Sequence, residues 1–235
     1  MGGVTMPAAM DGAAAHDAGH VSERTTGFYA RRGKRWFDLV AGGAATVVLL
    51  PLLGLVSLIV LVTSGRPVFF LQERVGRHGR IFRVIKFRSM IPNAVKHGAG
   101  YYLDERDTRI TSAGRWMRLA SLDELPQLFN VLHGEMSLVG PRPNLPVIVE
   151  RYRPHYDHIL LVKPGLTGLA AIRGRNRLQR SQMIELDHRY VRTLSLRNDL
   201  KIILATVPAV LLRKGATNVV TEEFIEDLPP AEERR

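Results

Sequence analysis

The stretch LVAGGAATVVLLPLLGLVSLIVLVTSG, residues 39–65, has no charged side chain over 27 positions and decides how the chain is organised. A helix that spans a bilayer needs about 20 apolar residues, so this run predicts a membrane segment. Pro51 stands at its middle and removes a helix hydrogen bond, which predicts a kink. Basic residues flank both ends: Arg31, Arg32, Lys34 and Arg35 before, and Arg66, Arg74, Arg77, Arg80 and Arg83 after.

These flanks favour a re-entrant helix. Basic flanks tend to stay in the cytoplasm, so the bias would hold both ends of the segment on one side. A helix that enters one leaflet, breaks at Pro51 and returns satisfies both the length and the charge pattern. A single kinked span, with its basic C-terminal side in the cytoplasm, is the alternative.

The overall charge indicates an anionic partner. The chain has 33 Lys and Arg against 22 Asp and Glu, a formal net charge of +11. Nucleic acid, an acidic membrane surface and phosphorylated substrates all fit that excess. Because the basic residues flank an apolar run instead of forming a groove-reading helix, we expect no nucleic acid partner. The absence of cysteine excludes disulfide frameworks, thiol nucleophiles and Cys-ligated zinc.

The chain divides into four predicted regions. We expect a disordered tail at 1–23, a basic flank and re-entrant helix at 24–66, a cytoplasmic catalytic domain at 67–215 and an acidic, Pro-rich tail at 216–235. Alternating apolar residues predict strands at Val68–Gln72 and Ile81–Phe87, joined by a Gly-containing turn. Helices are predicted at Arg115–Leu119, Leu125–Leu132, Met183–Leu194 and Asp199–Leu212.

Two further stretches complete the predicted fold. Residues Leu145–Leu161 have apolar positions at helical spacing with basic residues between them, which suits a helix on a membrane surface, kinked by Pro154. Residues Lys163–Asn176 are Gly-rich and predicted to be irregular. The fold class is therefore α+β, mainly helical with a small β-hairpin, one re-entrant membrane helix and interfacial amphipathic helices.

The segment SLDELP, residues 121–126, places two carboxylates side by side. One interpretation is a capping box, with Ser121 as N-cap and Glu124 three residues on. The other starts the helix at Asp123 and puts Pro126 in its first turn, where no N–H is needed. The positive helix end would then keep Asp123 ionised and attract a phosphate. An ionised Asp beside a phosphoryl group is a metal ligand or a nucleophile.

Several cations could hold that phosphate. Arg142 lies between two prolines that restrict its backbone, so a preset guanidinium offers a bidentate clamp, although a stiff connecting loop is the alternative. The other candidates are Lys86, Arg88, Arg118 and Arg175. The usual Gly-rich phosphate loops and the H-E-x-x-H zinc motif do not occur in the sequence. Two carboxylates with bound phosphate oxygens suit Mg²⁺ better than zinc.

The motifs of this chain, and their order around the uncharged segment, resemble those of the bacterial sugar transferases, the monotopic polyprenyl-phosphate phosphoglycosyl transferases. The resemblance covers Lys34–Gly215, about three-quarters of the chain. It rests on KRWFD (34–38), PVFF (67–70), KFRSM (86–90), SLDELPQ (121–127), SLVGPRP (137–143) and KPGLTG (163–168). The chain is similar to the compact members of that family.

The resemblance implies a reaction. Family members transfer a sugar 1-phosphate from a UDP-sugar to polyprenyl phosphate and release UMP, so Asp123 would be the nucleophile that forms a covalent phosphosugar. Asp123 and Glu124 would lie near Mg²⁺. Arg142 matches the phosphate-binding position of the family and Arg118 the basic residue behind the dyad. Lys86, Arg88 and Arg175 are further candidate substrate-binding residues.

The resemblance also implies partners and a location. The expected partners are UDP-sugar, polyprenyl (undecaprenyl) phosphate and anionic membrane lipids, and both a monomer and a homo-oligomer stay open. The expected location is the bacterial inner membrane, with the catalytic domain on its cytoplasmic face, at the first membrane step of polysaccharide or glycoconjugate synthesis. The alternative is a basic membrane-associated binding or adaptor protein without catalysis.

Overall fold

The computed structural model describes residues 24–92, 94, 107–174 and 177–211. Its helices are α1 (Lys34–Ser64), α2 (Ser112–Leu119), α3 (Gln127–His133), α4 (Pro146–Arg151), α5 (Arg153–Tyr156), α6 (Leu169–Arg173), α7 (Arg180–Arg192) and α8 (Leu196–Leu211). Its strands are β1 (Phe69–Val75), β2 (Ile81–Phe87), β3 (Ser137–Val139) and β4 (Gly165–Thr167). The two predicted tails lie outside the described residues.

The uncharged stretch forms one helix. A π-helical turn at Tyr29–Gly33 leads into α1, whose 31 residues continue through Pro51. Within the described part of the chain, this is the helix that is long and apolar enough to cross a bilayer. It ends at Gly65, where a φ of +71° suits a residue without a Cβ. The predicted membrane segment is confirmed as a helix, and its place in a membrane, its kink and its re-entrant path stay predictions.

One face of α1 packs against the globular part of the protein along most of the helix. The buried residues are Lys34, Asp38, Gly42, Thr46, Leu53, Val56 and Val60. The last three form a core cluster with Phe87 and Met117. The opposite face is exposed and apolar, with more than half of the side-chain surface free at Val40, Val47, Val48, Leu58 and Val62. The helix therefore has a protein face and a face suited to lipid.

The predicted hairpin is confirmed. Strands β1 and β2 pair antiparallel, from Phe69 opposite Phe87 to Val75 opposite Ile81. A 3₁₀ turn at Arg77–Gly79 joins them. Strand β1 begins one residue later than predicted and continues to Val75. This register places Lys86 near the end of the hairpin, opposite Phe70.

A second, parallel sheet was missed. Strand β3 pairs with β4 through Ser137 opposite Gly165 and Val139 opposite Thr167. The pairing needs glycine, because a Cβ on Gly165 would lie 2.0 Å from the backbone nitrogen of Gly140. The prediction that Lys163–Asn176 is irregular was wrong, since β4 and α6 lie within it.

The segment predicted to lie on a membrane surface is broken into α4, α5 and a 3₁₀ turn at Ile159–Leu161. The break falls at Tyr152, and Pro154 stands in the first turn of α5, where its missing N–H costs nothing. Its apolar face is buried in the protein, in a cluster formed by Val75, Val149, Tyr152, Tyr156, Ile159 and Ile184. Here the helical periodicity marks a protein core, and membrane contact by this segment stays a prediction.

The two C-terminal helices α7 and α8 were predicted with nearly the observed bounds. Helix α8 joins the main core through Ile202, and Thr206 shares a 2.7 Å hydroxyl–hydroxyl hydrogen bond with Thr167 of β4. The outer face of α8 has an exposed apolar stripe, formed by Leu196, Leu200, Leu204 and Val207.

Candidate active site

The two adjacent carboxylates lie in a short 3₁₀ turn, Leu122–Glu124, directly after α2. Ser121 adopts a φ of +59° and its side chain caps nothing, so the capping-box interpretation was wrong. The alternative helix start was also wrong, because α3 begins at Gln127 with Pro126 before it. The dyad therefore stands just ahead of α3, and the left-handed turn at Ser121 aims the chain there from α2.

Glu124 is clamped by two cations. Lys86 Nζ lies 2.9 Å from Glu124 Oε1, and Arg142 donates to the same oxygen through Nη2 at 2.8 Å. These contacts bring together a strand end, the turn and the Pro-Arg-Pro loop. Burial raises the pKa of the Glu124 carboxyl, but Arg142 and Lys86 outweigh it and hold that pKa well below its usual value. Glu124 is therefore ionised at neutral pH.

Asp123 is buried but not held in this way. Its residue surface is 9% exposed, and within the described residues its carboxylate accepts no hydrogen bond and forms no ion pair. Burial, and then the neighbouring Glu124, raise its pKa, while Lys86, Arg118 and Arg142 act in the opposite direction. With no hydrogen bond from the described part of the chain, the Asp123 carboxylate has oxygen lone pairs available for an incoming phosphorus or a metal ion.

Arg118, in the last turn of α2, completes the charged group that we call the dyad cluster: Lys86, Arg118, Asp123, Glu124 and Arg142. Burial lowers the pKa of its guanidinium, and the charges of Asp123 and Glu124 oppose that effect, so Arg118 lies within electrostatic reach of both. Three cations face two carboxylates. The cluster therefore has an excess of one positive charge for an anion.

Arg88 and Arg175 are placed differently from the dyad cluster. The guanidinium of Arg88 donates to the carbonyls of Ser64, Gly65 and Arg66, at 2.7 Å for Gly65 and 2.8 Å for Arg66. These are the carbonyls around the end of α1, so Arg88 caps the C-terminal end of that helix. A substrate contact by Arg88 stays a prediction. Arg175 lies outside the described residues.

Asp187 on α7 was missed by the sequence analysis. It is 4% exposed, and burial raises its pKa to about 8, with the charge of Arg142 acting against that rise. Among the described groups, Arg142 is therefore within electrostatic reach of three acids, Glu124, Asp123 and Asp187. A signal existed in the sequence, because Asp187 stands on the buried face of its helix, three residues after Ile184 and three before Tyr190.

The donor set suits magnesium only together with a phosphate. Asp123 and Glu124 supply carboxylate oxygens, and no group of three or more metal-ligating side chains occurs among the described residues. Magnesium in proteins is commonly held by one or two carboxylates, with waters and substrate phosphates completing its coordination. The two acids therefore fit a Mg²⁺ that is shared with a phosphorylated substrate.

Comparison with known proteins identifies the family. The model of the bacterial sugar transferases matches residues 29–213, which include the whole dyad cluster. The chain belongs to the bacterial sugar transferase family. This confirms the resemblance found in the motifs and the prediction that the chain is a transferase.

Three relatives illustrate the similarity. A UDP-galactose-lipid carrier transferase of Erwinia amylovora is 44% identical over 199 residues, which cover 78% of this chain and 41% of the relative. An undecaprenyl-phosphate glucose phosphotransferase of Komagataeibacter xylinus is 41% identical over 194 residues, 78% of this chain and 36% of the relative. The exopolysaccharide production protein ExoY of Sinorhizobium fredii is 38% identical over 197 residues, 78% of this chain and 87% of the relative. The chain thus spans about two-fifths of the first two relatives and most of the third.

Proposed function

We propose that this sugar transferase moves a hexose 1-phosphate from a UDP-hexose to polyprenyl phosphate, undecaprenyl phosphate in the first instance, and releases UMP. The observation that carries the proposal is the Asp123 carboxylate, buried, without a hydrogen bond among the described residues and surrounded by three cations. The relatives named for galactose and glucose support a hexose donor, and the relative named for exopolysaccharide production supports a role in polysaccharide synthesis. We place the reaction at the first membrane step of that synthesis.

The proposed reaction has two displacements at one phosphorus. A carboxylate oxygen of Asp123 attacks the β-phosphorus of the donor, the bond from that phosphorus to the bridging oxygen breaks, and UMP leaves with the bridging oxygen. A phosphate oxygen of the polyprenyl phosphate then attacks the same phosphorus and displaces Asp123. The product is polyprenyl-diphosphate-hexose, and the carboxylate is regenerated.

The neighbouring side chains support this chemistry. The Arg142 side chain is 47% exposed, so its guanidinium can reach a phosphate in solvent while Glu124 orients it. Lys86 and Arg118 stabilise the ionised form of Asp123 against burial and against Glu124. Asp123 and Glu124 would hold a Mg²⁺, which would neutralise phosphate charge.

We also propose that both ends of α1 lie on the cytoplasmic face of the inner membrane. At its start, Lys34 pairs with Asp199 at 2.6 Å, and at its end Arg88 binds the carbonyls of Ser64, Gly65 and Arg66. Since both contacts belong to one folded domain, a path that enters and leaves the same leaflet accommodates them. The exposed apolar stripe of α8 begins beside Asp199 and would lie on the same surface.

The topology can be tested by cysteine labelling, because the chain has no cysteine of its own. Arg32→Cys and Arg66→Cys place single thiols at exposed positions on either side of α1, and Lys201→Cys on α8 is the control in the catalytic domain. A membrane-impermeant maleimide should label all three only in inverted vesicles. Labelling of Arg32→Cys and Arg66→Cys from opposite sides would establish a spanning helix and reject the re-entrant path.

The reaction is tested by trapping the intermediate. Purified protein given UDP-galactose or UDP-glucose labelled in the sugar, without lipid acceptor, should retain label and release one UMP per label. Asp123→Asn should lose the label and lower UMP release by at least about 1000-fold, because the nucleophile is removed. Asp157→Asn, at an exposed aspartate paired with Arg153, is the matched control. Label that survives Asp123→Asn would reject the nucleophile, and label only from N-acetylhexosamine donors would reject the hexose.

A further inference from the structure

A buried polar group ties the start of the membrane helix to the C-terminal helices. We call Tyr29, Lys34, Tyr190 and Asp199 the basal cluster. Lys34 Nζ lies 2.6 Å from Asp199 Oδ2, and the Tyr29 hydroxyl donates to the same oxygen at 2.7 Å. Tyr190 Oη lies 2.9 Å from Asp199 Oδ1. Asp199 is fully buried, so its charge is compensated entirely by these groups.

Side chains next to and within the basal cluster form hydrogen bonds with strand β3. Asp38, one turn after Lys34 and 1% exposed, accepts a hydrogen bond from the backbone N–H of Leu138 and another from Ser137 Oγ, both at 2.9 Å. Tyr190 Oη lies 3.0 Å from the carbonyl oxygen of Val139, so its single proton is shared between that carbonyl and Asp199. All three residues of β3 are therefore fixed by α1 or by the basal cluster.

Strand β3 leads directly into the loop that carries Arg142. Pro141 and Pro143 restrict the backbone on either side of Arg142, so the loop has little freedom of its own. On the other side, Gly140 donates to the Thr167 carbonyl and Gly165 donates to the Pro141 carbonyl, each at 2.8 Å. A displacement of β3 would therefore be passed on to the guanidinium of Arg142.

We propose that Asp38 and Tyr190 are positioning residues for Arg142, so that the membrane anchor sets where the phosphate-binding guanidinium stands. The inference rests on the proposed function, in which Arg142 binds a donor phosphate. Apolar contacts such as those of Leu53, Val56 and Val60 already hold α1 against the domain. The buried polar contacts of Asp38 and Tyr190 with β3 cost desolvation, and in return they fix the position of that strand. Buried polar networks in proteins can specify geometry in this way.

A double-mutant cycle tests the coupling. Tyr190→Phe keeps the ring and removes the hydroxyl that contacts β3. It should lower the single-turnover rate of UMP release about tenfold in the wild-type background and less than about twofold in the Arg142→Ala background. Tyr29→Phe is the matched control, because it removes a hydroxyl from the same Asp199 without touching β3. Equal losses for Tyr190→Phe in both backgrounds would mean a general loss of folded protein and overturn the proposal.

A second measurement does not depend on catalysis. Hydrogen–deuterium exchange of the peptide 137–145 should become about five- to tenfold faster in Tyr190→Phe, and clearly less so in Tyr29→Phe. Asp38→Leu, which removes the oxygen that accepts both hydrogen bonds from β3, should behave like Tyr190→Phe. Unchanged exchange in both variants would overturn the positioning role. A wild-type protein that releases no UMP would reject the proposed function, and the exchange measurement would still decide whether Tyr190 and Asp38 hold the strand.

Discussion

The basal cluster and the dyad cluster are built from the same kinds of side chain, but they differ in how completely the charges are satisfied. In the basal cluster one carboxylate, Asp199, receives Lys34 and two tyrosine hydroxyls, and no part of it is exposed. In the dyad cluster Glu124 is held twice, whereas Asp123 has no hydrogen bond among the described residues. The fully bonded carboxylate of Asp199 stabilises the fold, whereas the carboxylate of Asp123 can still bind a ligand.

The balance of charge shows the same difference. The charges of Lys34 and Asp199 cancel, so the basal cluster has no net charge that would attract an anion. The dyad cluster has three cations against two acids, and its Arg142 side chain is 47% exposed. Binding a phosphate there would replace water on the exposed Arg142 guanidinium, and this costs far less than opening a buried pair. We therefore expect substitutions in the two clusters to separate stability from activity.

The largest effect is expected from Lys34→Met. It leaves the Asp199 carboxylate buried without its cation, which should lower the free energy of unfolding by about 3–5 kcal/mol. Urea unfolding in detergent, followed by the fluorescence of Trp36 and Trp116, measures this. Arg31→Met, at an exposed position, is the control. A loss below about 1 kcal/mol would show that the ion pair between Lys34 and Asp199 does not stabilise the fold.

Glu124→Gln should show the reverse pattern. Removing this charge frees Arg142 and Lys86 from their carboxylate and weakens the orientation of the phosphate, so UMP release should fall about 100- to 1000-fold. Stability should fall by less than in Lys34→Met, because the amide keeps the shape and an acceptor oxygen, and Arg142, whose side chain is 47% exposed, stays solvated. Glu150→Gln, at an exposed glutamate, provides the comparison. Unfolding of Glu124→Gln comparable to that of Lys34→Met would remove the distinction between the clusters.

A smaller effect, on pH dependence, is expected from Arg118→Gln. Asp123 attacks as a carboxylate, so the rate should rise with pH through its raised pKa, and Arg118 is one of the cations that lower that pKa. Without Arg118 the acidic limb of the rate profile should move to higher pH, with a smaller change at the alkaline end. The control is Arg115→Gln, exposed on the same helix. An acidic limb that stays in place would mean that Asp123 is not the group titrating.

Some of these features could be predicted from the sequence and others could not. The long apolar helix α1 follows from an uncharged run, the hairpin from alternation around a Gly-containing turn, and the dyad with Arg142 from short motifs. The pairing of β3 with β4 joins Ser137 to Gly165 across a long separation, and strands of three residues have no periodicity to detect. Lys34 and Asp38 were predicted only as part of a family motif at the edge of the membrane segment, because a charge next to an apolar run looks the same whether it faces headgroups or a buried partner.

Asp187 is the third acid within electrostatic reach of Arg142. Its titration shows whether this buried carboxyl is protonated at neutral pH or is kept ionised by Arg142. Its pKa is raised to about 8 in the folded protein, against about 3.9 for an unfolded Asp. Between these pH values the folded state binds the additional proton, so this group makes stability fall as pH rises. Asp187→Asn removes that dependence, so its stability relative to the wild type should rise steadily from about pH 4 to about pH 8, by at least about 2 kcal/mol in total. Asp157→Asn, the control, should show no such trend. A stability advantage for Asp187→Asn that shrinks with rising pH would contradict the prediction. It would mean that Arg142 keeps Asp187 ionised, as a third acid of the dyad cluster.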